Sequence, residues 1–272
     1  MQFARIGDVV LHYQMIGDPM TKPLLVFVNS LGTDFRIWRD VVVRLAGQFA
    51  ILTYDKRGHG LSDVGPTPYR LDDHVADLAG LLDLIGARQS LICGVSIGGM
   101  IAQGLSALRP DLVRALILCD TAHKVGTEEM WNARIGAVES EGLASIADMV
   151  LERWFTPAFR DPQNTEFVGY RNMLMRQPAA GYAATCAALR DADLTAIARA
   201  ITVPTIAVVG DADGSTPPAL VAEFARMIPN ARFEVIKGAG HIPSIEQPVV
   251  LTEIIRAFTG MVLAGDGGGR PN

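Results

Sequence analysis

The stretch LICGVSIGGM, residues 91–100, decides the fold, because it has the pattern of a strand, a sharp turn and then a helix. Its first residues are apolar, as in a buried strand, and the run Ile97–Leu108 that follows is an apolar helix. Between them Gly94, Ser96 and Gly98 form the motif Gly-x-Ser-x-Gly. Glycine is required on both sides because a side chain would collide in so tight a turn, which leaves the serine hydroxyl free. We therefore predict that Ser96 is a nucleophile; the alternative is a serine that only caps a helix.

Short apolar runs rich in β-branched residues alternate with segments of helical periodicity along most of the chain. Continuous apolar runs are typical of strands covered on both faces, and their alternation with helices predicts a mostly parallel sheet. The predicted strands are 24–28, 50–54, 90–93, 115–119, 205–209 and 232–236. The predicted helices are 71–85, 97–108, 220–227 and 249–258. The predicted fold class is therefore α/β, with a mostly parallel twisted sheet and flanking helices.

The alternation stops between Thr121 and Arg190, where polar helical sequence containing methionine and aromatic residues takes over. About 70 residues is far more than one crossover between parallel strands requires. We therefore predict a helical cap at 122–190, inserted into a core made of residues 1–121 and 191–263. The glycine-rich segment AGDGGGRPN, residues 264–272, is predicted to be a disordered tail.

Composition narrows the class of protein and its compartment. A formal net charge of −5 argues against nucleic acid or an anionic membrane as the main partner. We find no apolar run of membrane-spanning length, and the N-terminus lacks the apolar stretch of a signal peptide. The three cysteines form no even-numbered framework, and Cys93 and Cys119 end apolar runs, so we expect buried free thiols in a reducing cytoplasm. The composition leaves the oligomeric state open.

A serine nucleophile needs a base, because its hydroxyl is barely nucleophilic at neutral pH. The five histidines are His12, His59, His74, His123 and His241. His241 lies in the glycine-rich segment GAGHIP, residues 238–243, where a loop after the last predicted strand can hold an imidazole above the sheet. A strand–turn–helix nucleophile is expected to precede its acid and its histidine in the chain. His59 comes before the serine, so we interpret its loop as structural. His123 is a candidate to line the pocket.

The acid that orients the base is expected between the serine and the histidine in the chain. The segment VVGDADGSTP, residues 208–217, ends a predicted strand and offers Asp211 and Asp213. We prefer Asp213 because it lies deeper in the loop, which leaves Asp211 as a turn residue. Such an acid fixes the imidazole tautomer and stabilises the imidazolium of the transition state.

Five segments taken together resemble the α/β-hydrolase superfamily, over the chain up to about residue 260. They are NSLGTD at 29–34, DKRGHGLS at 55–62, the turn around Ser96, GDAD at 210–213 and GAGH at 238–241. Three details are similar to the 3-oxoadipate enol-lactonases: NSLGTD in place of the usual His-Gly, GVSIGGM at 94–100 and MWNARI at 130–135. The resemblance implies hydrolysis of a small anionic enol-lactone with a carboxymethyl arm, in the β-ketoadipate pathway of bacterial aromatic catabolism.

Two backbone N–H groups are expected to bind the oxyanion of the tetrahedral intermediate. The Ile97 N–H lies at a helix N-terminus, where partial positive charge favours an anion. Alignment with the His-Gly-x loop of the family implies Leu31 as the second donor, although Asn29 and Ser30 depart from that pattern. No metal or organic cofactor is implied, because the cysteines and histidines lack metal-ligand spacing.

An anionic substrate on a negatively charged protein requires a local cation. Arg134 in the predicted cap is our candidate, since arginine can bind a carboxylate through two hydrogen bonds. Trp131 lies on the same helical face and is a candidate to pack on the substrate ring. The alternative is that Arg134 is solvated and Trp131 belongs to the core. The reserve cations are Arg36, Arg39, Lys124 and Arg153.

Other functions remain open at this point. A carboxylesterase, a carbon–carbon bond hydrolase or a cofactor-free perhydrolase would use the same Ser96, Asp213 and His241, because one triad serves many substrates on this scaffold. A ligand sensor that keeps the triad is a different class, and it would show slow single acylation where an enzyme shows repeated turnover.

Overall fold

Eight strands form one sheet within residues 1–265, the part of the chain that this computed structural model describes. They are β1 (Gln2–Ile6), β2 (Val9–Ile16), β3 (Leu24–Val28), β4 (Ala50–Tyr54), β5 (Ser90–Val95), β6 (Val113–Cys119), β7 (Thr205–Gly210) and β8 (Arg232–Ile236). Their spatial order is β1-β2-β4-β3-β5-β6-β7-β8. The first two pairings in this order, β1 with β2 and β2 with β4, are antiparallel, and the rest are parallel. The predicted α/β class is confirmed.

The six predicted strands all occur, and β3, β4 and β8 have the predicted bounds. In one respect the prediction was wrong: β8 is not covered on both faces, since Phe233 and Val235 on this edge strand are exposed. The antiparallel strands β1 and β2 were not predicted. They mix buried and exposed positions, because β1 is the other edge of the sheet and only part of each strand meets the core.

The helices flank this sheet or join its strands. Within residues 1–265 they are α1 (Arg39–Leu45), α2 (Leu71–Leu84), α3 (Ile97–Leu108), α4 (Glu128–Glu141), α5 (Ala147–Trp154), α6 (Thr165–Met175), α7 (Ala179–Asp191), α8 (Thr195–Ala200), α9 (Pro218–Met227), α10 (Pro243–Glu246) and α11 (Pro248–Gly265). Helices α2, α3, α9 and α11 correspond to the four predicted ones. Ala264 and Gly265, which we assigned to the tail, instead end α11; residues 266–272 of that predicted tail lie outside the described residues.

The long insertion between β6 and β7 is helical. Helices α4 to α7 lie in it, and α4 packs against α7. We propose that these four helices form the cap. The last of them ends at Asp191, one residue beyond the predicted boundary.

The final helix, α11, corrects the expectation that no segment reaches membrane-spanning length. It has 18 residues, and by length and composition alone it could cross a membrane. Core helices of soluble proteins pass the same test. Here α11 packs against α1 and buries Leu251, Ile255 and Phe258.

Candidate active site

Ser96 occupies the sharp turn between β5 and α3. Its backbone has φ 59° and ψ −124°, a left-handed region that strains a residue with a side chain. The turn is as tight as the motif predicted: a Cβ on Gly94 would lie 2.3 Å from the Gly98 carbonyl oxygen, and one on Gly98 would lie 2.2 Å from the Val28 oxygen. The Ser96 N–H donates to the Cys119 oxygen at 3.0 Å, so the strained turn is tied to the neighbouring strand.

His241 and Asp213 form a buried hydrogen-bonded pair. The imidazole Nδ1 lies 2.9 Å from Asp213 Oδ2 and 3.0 Å from Oδ1. The same carboxylate accepts hydrogen bonds from the Ser215 N–H at 2.7 Å and from the Thr216 N–H and hydroxyl at 3.0 and 2.7 Å. Because Nδ1 faces the carboxylate, Nε2 is the imidazole atom left to act on another group.

These contacts set the charge of Asp213. Burial alone would raise the pKa of its carboxyl group, but the charge of His241 and the hydrogen bonds from His241 and Thr216 outweigh burial and lower it. Asp213 is therefore ionised at neutral pH and can stabilise a positive charge on the imidazole.

The structure distinguishes the two aspartates that the sequence offered. Asp211 is exposed, and its Oδ1 accepts hydrogen bonds from the N–H groups of Gly238 and Ala239, at 2.8 and 3.4 Å. These hydrogen bonds stabilise the loop that carries His241, and Asp211 does not contact the imidazole. Of the two aspartates, Asp213 is the one whose carboxylate lies within hydrogen-bond distance of the imidazole.

The C-terminal end of α5 contacts the loops of this pair directly. The His241 N–H donates to the Trp154 oxygen at 2.8 Å, and the Gly214 N–H donates to the Arg153 oxygen at 3.2 Å. Glu246 joins the two parts, since it accepts from the Gly240 N–H at 2.7 Å and from the Thr156 hydroxyl at 2.6 Å. The end of α5 therefore fixes the positions of the acid and base loops.

Ser96 and His241 line the same cavity, which has a volume of about 60 Å³ and is also lined by residues of α4, α5 and α7. Its other lining residues are Ser30, Leu31, Val125, Gly126, Met130, Trp131, Arg134, Arg153, Trp154, Tyr182, Leu189 and Ser215.

The two predicted substrate-binding residues both face this cavity. The guanidinium carbon of Arg134 lies 5.0 Å from the Trp131 ring centroid, a cation–π contact. The Arg134 Nε is buried and has no hydrogen-bond partner within residues 1–265. Trp131 is itself buried and donates from Nε1 to the Val125 oxygen at 2.7 Å. It is therefore a core residue, as the alternative interpretation of Trp131 stated, and it also lines the cavity.

Among the reserve cations, only Arg153 lines the cavity. Arg36 pairs with Asp34 at 2.6 Å and Lys124 with Asp193 at 3.3 Å, while Arg39 lies 3.8 Å from Asp40. Neither Arg134 nor Arg153 has a carboxylate within ion-pair distance in the described part of the chain. The two arginines thus bring uncompensated positive charge to the pocket that holds Ser96.

The two other histidines considered lie elsewhere. His59 is fully buried, and its Nε2 accepts the Gly32 N–H at 3.0 Å. Burial lowers its pKa well below the usual value, so it is a neutral structural residue, as predicted. His123 stacks on Phe224 at a centroid distance of 6.2 Å and is not among the residues that line the cavity, which corrects our expectation for it.

Both predicted oxyanion donors occupy suitable positions. The N–H groups of Leu31 and Ile97 have no acceptor among residues 1–265. Leu31 lines the cavity, and Ile97 follows Ser96 at the first position of α3. An N–H at that position is one of the four that a helix leaves unsatisfied, so it is free to bind an anion.

Asp120, at the end of β6, was missed from the sequence. It is fully buried, and its Oδ1 accepts the Gly210 N–H at 2.8 Å. Burial, and then the charge of Asp213, raise the pKa of Asp120 well above the usual value, which favours the neutral form of this carboxyl group. Its Oδ2 is buried and has no hydrogen-bond partner among residues 1–265.

Ligand atoms of Asp120, Asp213 and His241 all lie within 4.8 Å of one another, a spacing that could hold a metal ion. However, a metal would need the Asp213 oxygens and the imidazole that already bond to each other, and a deprotonated Asp120. The raised pKa of Asp120 therefore disfavours a metal ion at this position.

Replacing Asp120 by asparagine should leave kcat within about threefold of wild type, because a neutral amide replaces a neutral acid. The raised pKa also makes wild-type stability fall as the pH rises above about 4, by up to about 1.4 kcal/mol per pH unit until the folded-state pKa is passed. Urea unfolding from pH 4 to pH 8 should therefore give a flatter profile for Asp120→Asn. Profiles of equal slope would show that Asp120 is ionised in the folded protein.

The fold and the arrangement of Ser96, His241 and Asp213 define a hydrolase of the α/β class. The model of the family described as alpha/beta hydrolase fold matches residues 23–248. The chain is 33% identical over 250 residues to 3-oxoadipate enol-lactonase 2 of Acinetobacter baylyi, a match that covers 92% of this chain and 93% of that protein. It is 36% identical over 245 residues to 3-oxoadipate enol-lactonase 1 of the same organism, covering 89% and 91%.

A solved structure is similar throughout. The enol-lactonase from Burkholderia xenovorans superposes with a TM-score of 0.92 at 33% identity, over 95% of this chain and 100% of that one. The chain therefore belongs to the α/β-hydrolase fold family and, within it, to the family of the 3-oxoadipate enol-lactonases.

Proposed function

We propose that this protein hydrolyses 3-oxoadipate enol-lactone to 3-oxoadipate, through an acyl-enzyme on Ser96. The observation that carries the proposal is the single cavity that joins Ser96 and His241 to two arginines without carboxylate partners in the described chain. A nucleophile and base next to unpaired positive charge suit an ester that bears a carboxylate. The family of enol-lactonases to which the chain belongs supports this substrate.

The reaction begins when His241 Nε2 takes the Ser96 proton as Oγ attacks the lactone carbonyl carbon. The N–H groups of Leu31 and Ile97 bind the oxyanion that forms, and each such donor is typically worth about 3 kcal/mol. Collapse of the intermediate breaks the ring C–O bond. The departing enol oxygen takes its proton from the His241 imidazolium, which Asp213 has stabilised.

Deacylation uses the same residues. His241 removes a proton from water, the hydroxide attacks the acyl carbon, and the Ser96 oxygen leaves with the proton. Because the leaving group is tethered to the acyl chain, it could attack back before water arrives. Tautomerisation of the enol to a ketone removes that nucleophile and makes ring opening effectively irreversible. If the enzyme closed the oxoacid to the lactone at a rate near that of opening, this step would be contradicted.

The substrate carboxylate is assigned to Arg134, with Arg153 as the second cation of the pocket. The Trp131 ring packs on one face of the Arg134 guanidinium, Nη2 lies 3.6 Å from the Met149 sulfur, and Nε is buried without a hydrogen-bond partner among residues 1–265. A carboxylate that enters the cavity would give this guanidinium stronger, charge-assisted acceptors than the sulfur. The residual negative charge of the whole protein does not attract an anion, so these local charges must supply the binding energy.

Replacing Arg134 by alanine should raise KM for the enol-lactone by about 10- to 100-fold, the usual loss when a charge-assisted hydrogen bond is removed. For a neutral p-nitrophenyl ester KM should stay within about twofold, because that substrate has no carboxylate. Arg39→Ala is a matched control, since Arg39 is an exposed arginine outside the cavity. Equal KM values for wild type and Arg134→Ala on the lactone would assign the carboxylate to another residue, and Arg153→Ala would then be measured.

A spectrophotometric assay tests the function as a whole, with the enol-lactone and simple p-nitrophenyl esters compared on one preparation. A kcat/KM at least 100-fold higher for the lactone is expected. Preference for the simple esters would favour a general carboxylesterase, and a single slow acylation without turnover would favour a sensor.

The proposed setting is the bacterial cytoplasm. Cys93, Cys119 and Cys186 are all buried and free, which suits a reducing compartment. The small anionic lactone is the only partner that this proposal requires.

A further inference from the structure

Lys56 is a buried lysine in the loop that follows β4. It is 1% exposed, and its Nζ donates to the carbonyl oxygen of Ser30 at 2.6 Å. It has no carboxylate within ion-pair distance among residues 1–265. A buried ammonium group is costly unless it is hydrogen-bonded, so its contact with this one carbonyl calls for an explanation.

The carbonyl that Lys56 contacts belongs to the peptide group that joins Ser30 to Leu31. In a trans peptide the C=O and the N–H point in opposite directions. With the Ser30 oxygen directed at Lys56, the Leu31 N–H is directed away from the lysine, and Leu31 lines the cavity that contains Ser96. Lys56 is thus hydrogen-bonded to the carbonyl oxygen of the peptide group whose N–H is the proposed oxyanion donor.

Other contacts hold this loop in the same orientation. The Ser30 oxygen also accepts the Thr33 hydroxyl at 2.9 Å, and the Gly32 N–H donates to His59 Nε2 at 3.0 Å. These neutral contacts fix the position of the peptide. The lysine adds a positive charge, and a charge on the oxygen of an amide withdraws electrons from its nitrogen and strengthens the N–H as a donor.

We propose that Lys56 is a positioning residue that orients and polarises the Ser30–Leu31 peptide, so that the Leu31 N–H binds the oxyanion more strongly. This inference rests on the proposed function, since it takes Leu31 as an oxyanion donor. It does not depend on which ester or lactone is the substrate.

The surroundings of Lys56 make its charge sensitive to pH. Burial lowers the pKa of Lys56 to about 7, although the charges of Asp55 and Asp34 act in the opposite direction. Burial, and then the charge of Lys56, lower the pKa of His59 and of His74 well below the usual value, so neither adds positive charge near it. The polarising effect should therefore weaken as the pH rises through about 7, and kcat should fall with it.

Lys56→Met tests the proposal, because methionine fills a similar space without a charge or a donor. Lys22→Met is the matched control, since Lys22 also donates to a backbone carbonyl, that of Gly47 at 2.7 Å, but is only half-buried and lies outside the cavity. Both variants and wild type are assayed with p-nitrophenyl acetate from pH 6 to pH 9. Affinity for a boronic acid that forms a tetrahedral adduct on Ser96 is measured alongside.

For Lys56→Met we expect kcat to fall about 10- to 100-fold at pH 6.5, less than the effect of deleting a whole oxyanion donor. KM should stay within about threefold, boronate affinity should fall by a similar factor to kcat, and the alkaline limb of the wild-type profile should disappear. Lys22→Met should match wild type. A Lys56→Met enzyme with kcat within twofold of wild type, or with unchanged boronate affinity, overturns the proposal.

Should Lys56→Met fail to fold, the wild-type protein still gives an answer. The backbone ¹⁵N resonance of Leu31 is followed by NMR across the same pH range, and we expect it to titrate with the Lys56 side chain. A Leu31 resonance that does not follow the lysine overturns the proposal. A preference for simple esters over the lactone would instead correct only the substrate, since p-nitrophenyl acetate carries no carboxylate.

Discussion

Ser96→Ala is expected to lower kcat for the enol-lactone by about 10⁴- to 10⁶-fold, because it removes the atom that forms the acyl-enzyme. The oxyanion donors and the substrate pocket remain, so KM should change by no more than a few-fold. The substitution also relieves little of the backbone strain, since alanine keeps a Cβ at φ 59°. Stopped-flow and steady-state assays on the same preparation measure both quantities.

The matched control is Ser106→Ala, on the same helix as the turn. The Ser106 hydroxyl donates only to the Gln103 oxygen, at 2.7 Å, and Ser106 lies outside the cavity. This variant should keep wild-type kcat. If Ser96→Ala and wild type turned over the lactone at equal rates, the acyl-enzyme mechanism would be wrong, whatever the substrate.

Asp213→Asn is expected to lower kcat by about 10³- to 10⁴-fold while leaving the site nearly unchanged in shape. An amide cannot hold His241 in the tautomer that carries its proton on Nδ1 and leaves Nε2 free to act as the base, and it cannot stabilise the imidazolium. Asp211→Asn is the matched control, two residues away on the same loop, and it should keep kcat within about threefold because Asp211 bonds only to the backbone of residues 238 and 239.

The same pair of variants gives a second measurement. The lowered pKa of Asp213 means that its ionised form adds stability above the usual carboxyl pKa of about 4, and that this stability is lost as the pH falls through the folded-state value. Asp213→Asn should therefore destabilise the protein at pH 7 more than at pH 3. A large loss of kcat in Asp211→Asn, with Asp213→Asn active, would reverse the assignment of the acid.

The turn at Ser96 could be predicted because its requirements are local. Two glycines, a preceding apolar run and a following helix all lie within residues 91–108, and the collisions that a Cβ would cause at Gly94 and Gly98 are with atoms of adjacent elements. The order of Asp213 and His241 after the serine could also be read directly, since each follows a strand that the sequence predicts.

The remaining features depend on contacts that a sequence does not display. Lys56 lies in a stretch of charged residues and would ordinarily be solvated, but its partner is 26 residues away in the chain. Asp120 resembles a turn residue after a strand, and its bond to Gly210 spans 90 residues. Such groups become buried only when two loops that are distant in the chain pack together at one end of the sheet. For the same reason, the position of Arg134 in the pocket had to be taken from the structure.

The hydrogen bonds between the end of α5 and the catalytic loops limit how this protein can be recombined with its relatives. The loops around Asp213 and His241 donate backbone hydrogen bonds to the carbonyl groups of Arg153 and Trp154. The Thr156 hydroxyl donates to Glu246, which also holds the His241 loop. All three of these residues, 153, 154 and 156, belong to the inserted segment. A chimera that exchanges the whole insertion to change substrate range would also replace the supports of its own base. Crossover points that retain residues 153–156 with the parent core should therefore preserve turnover, while the rest of the insertion remains free to vary.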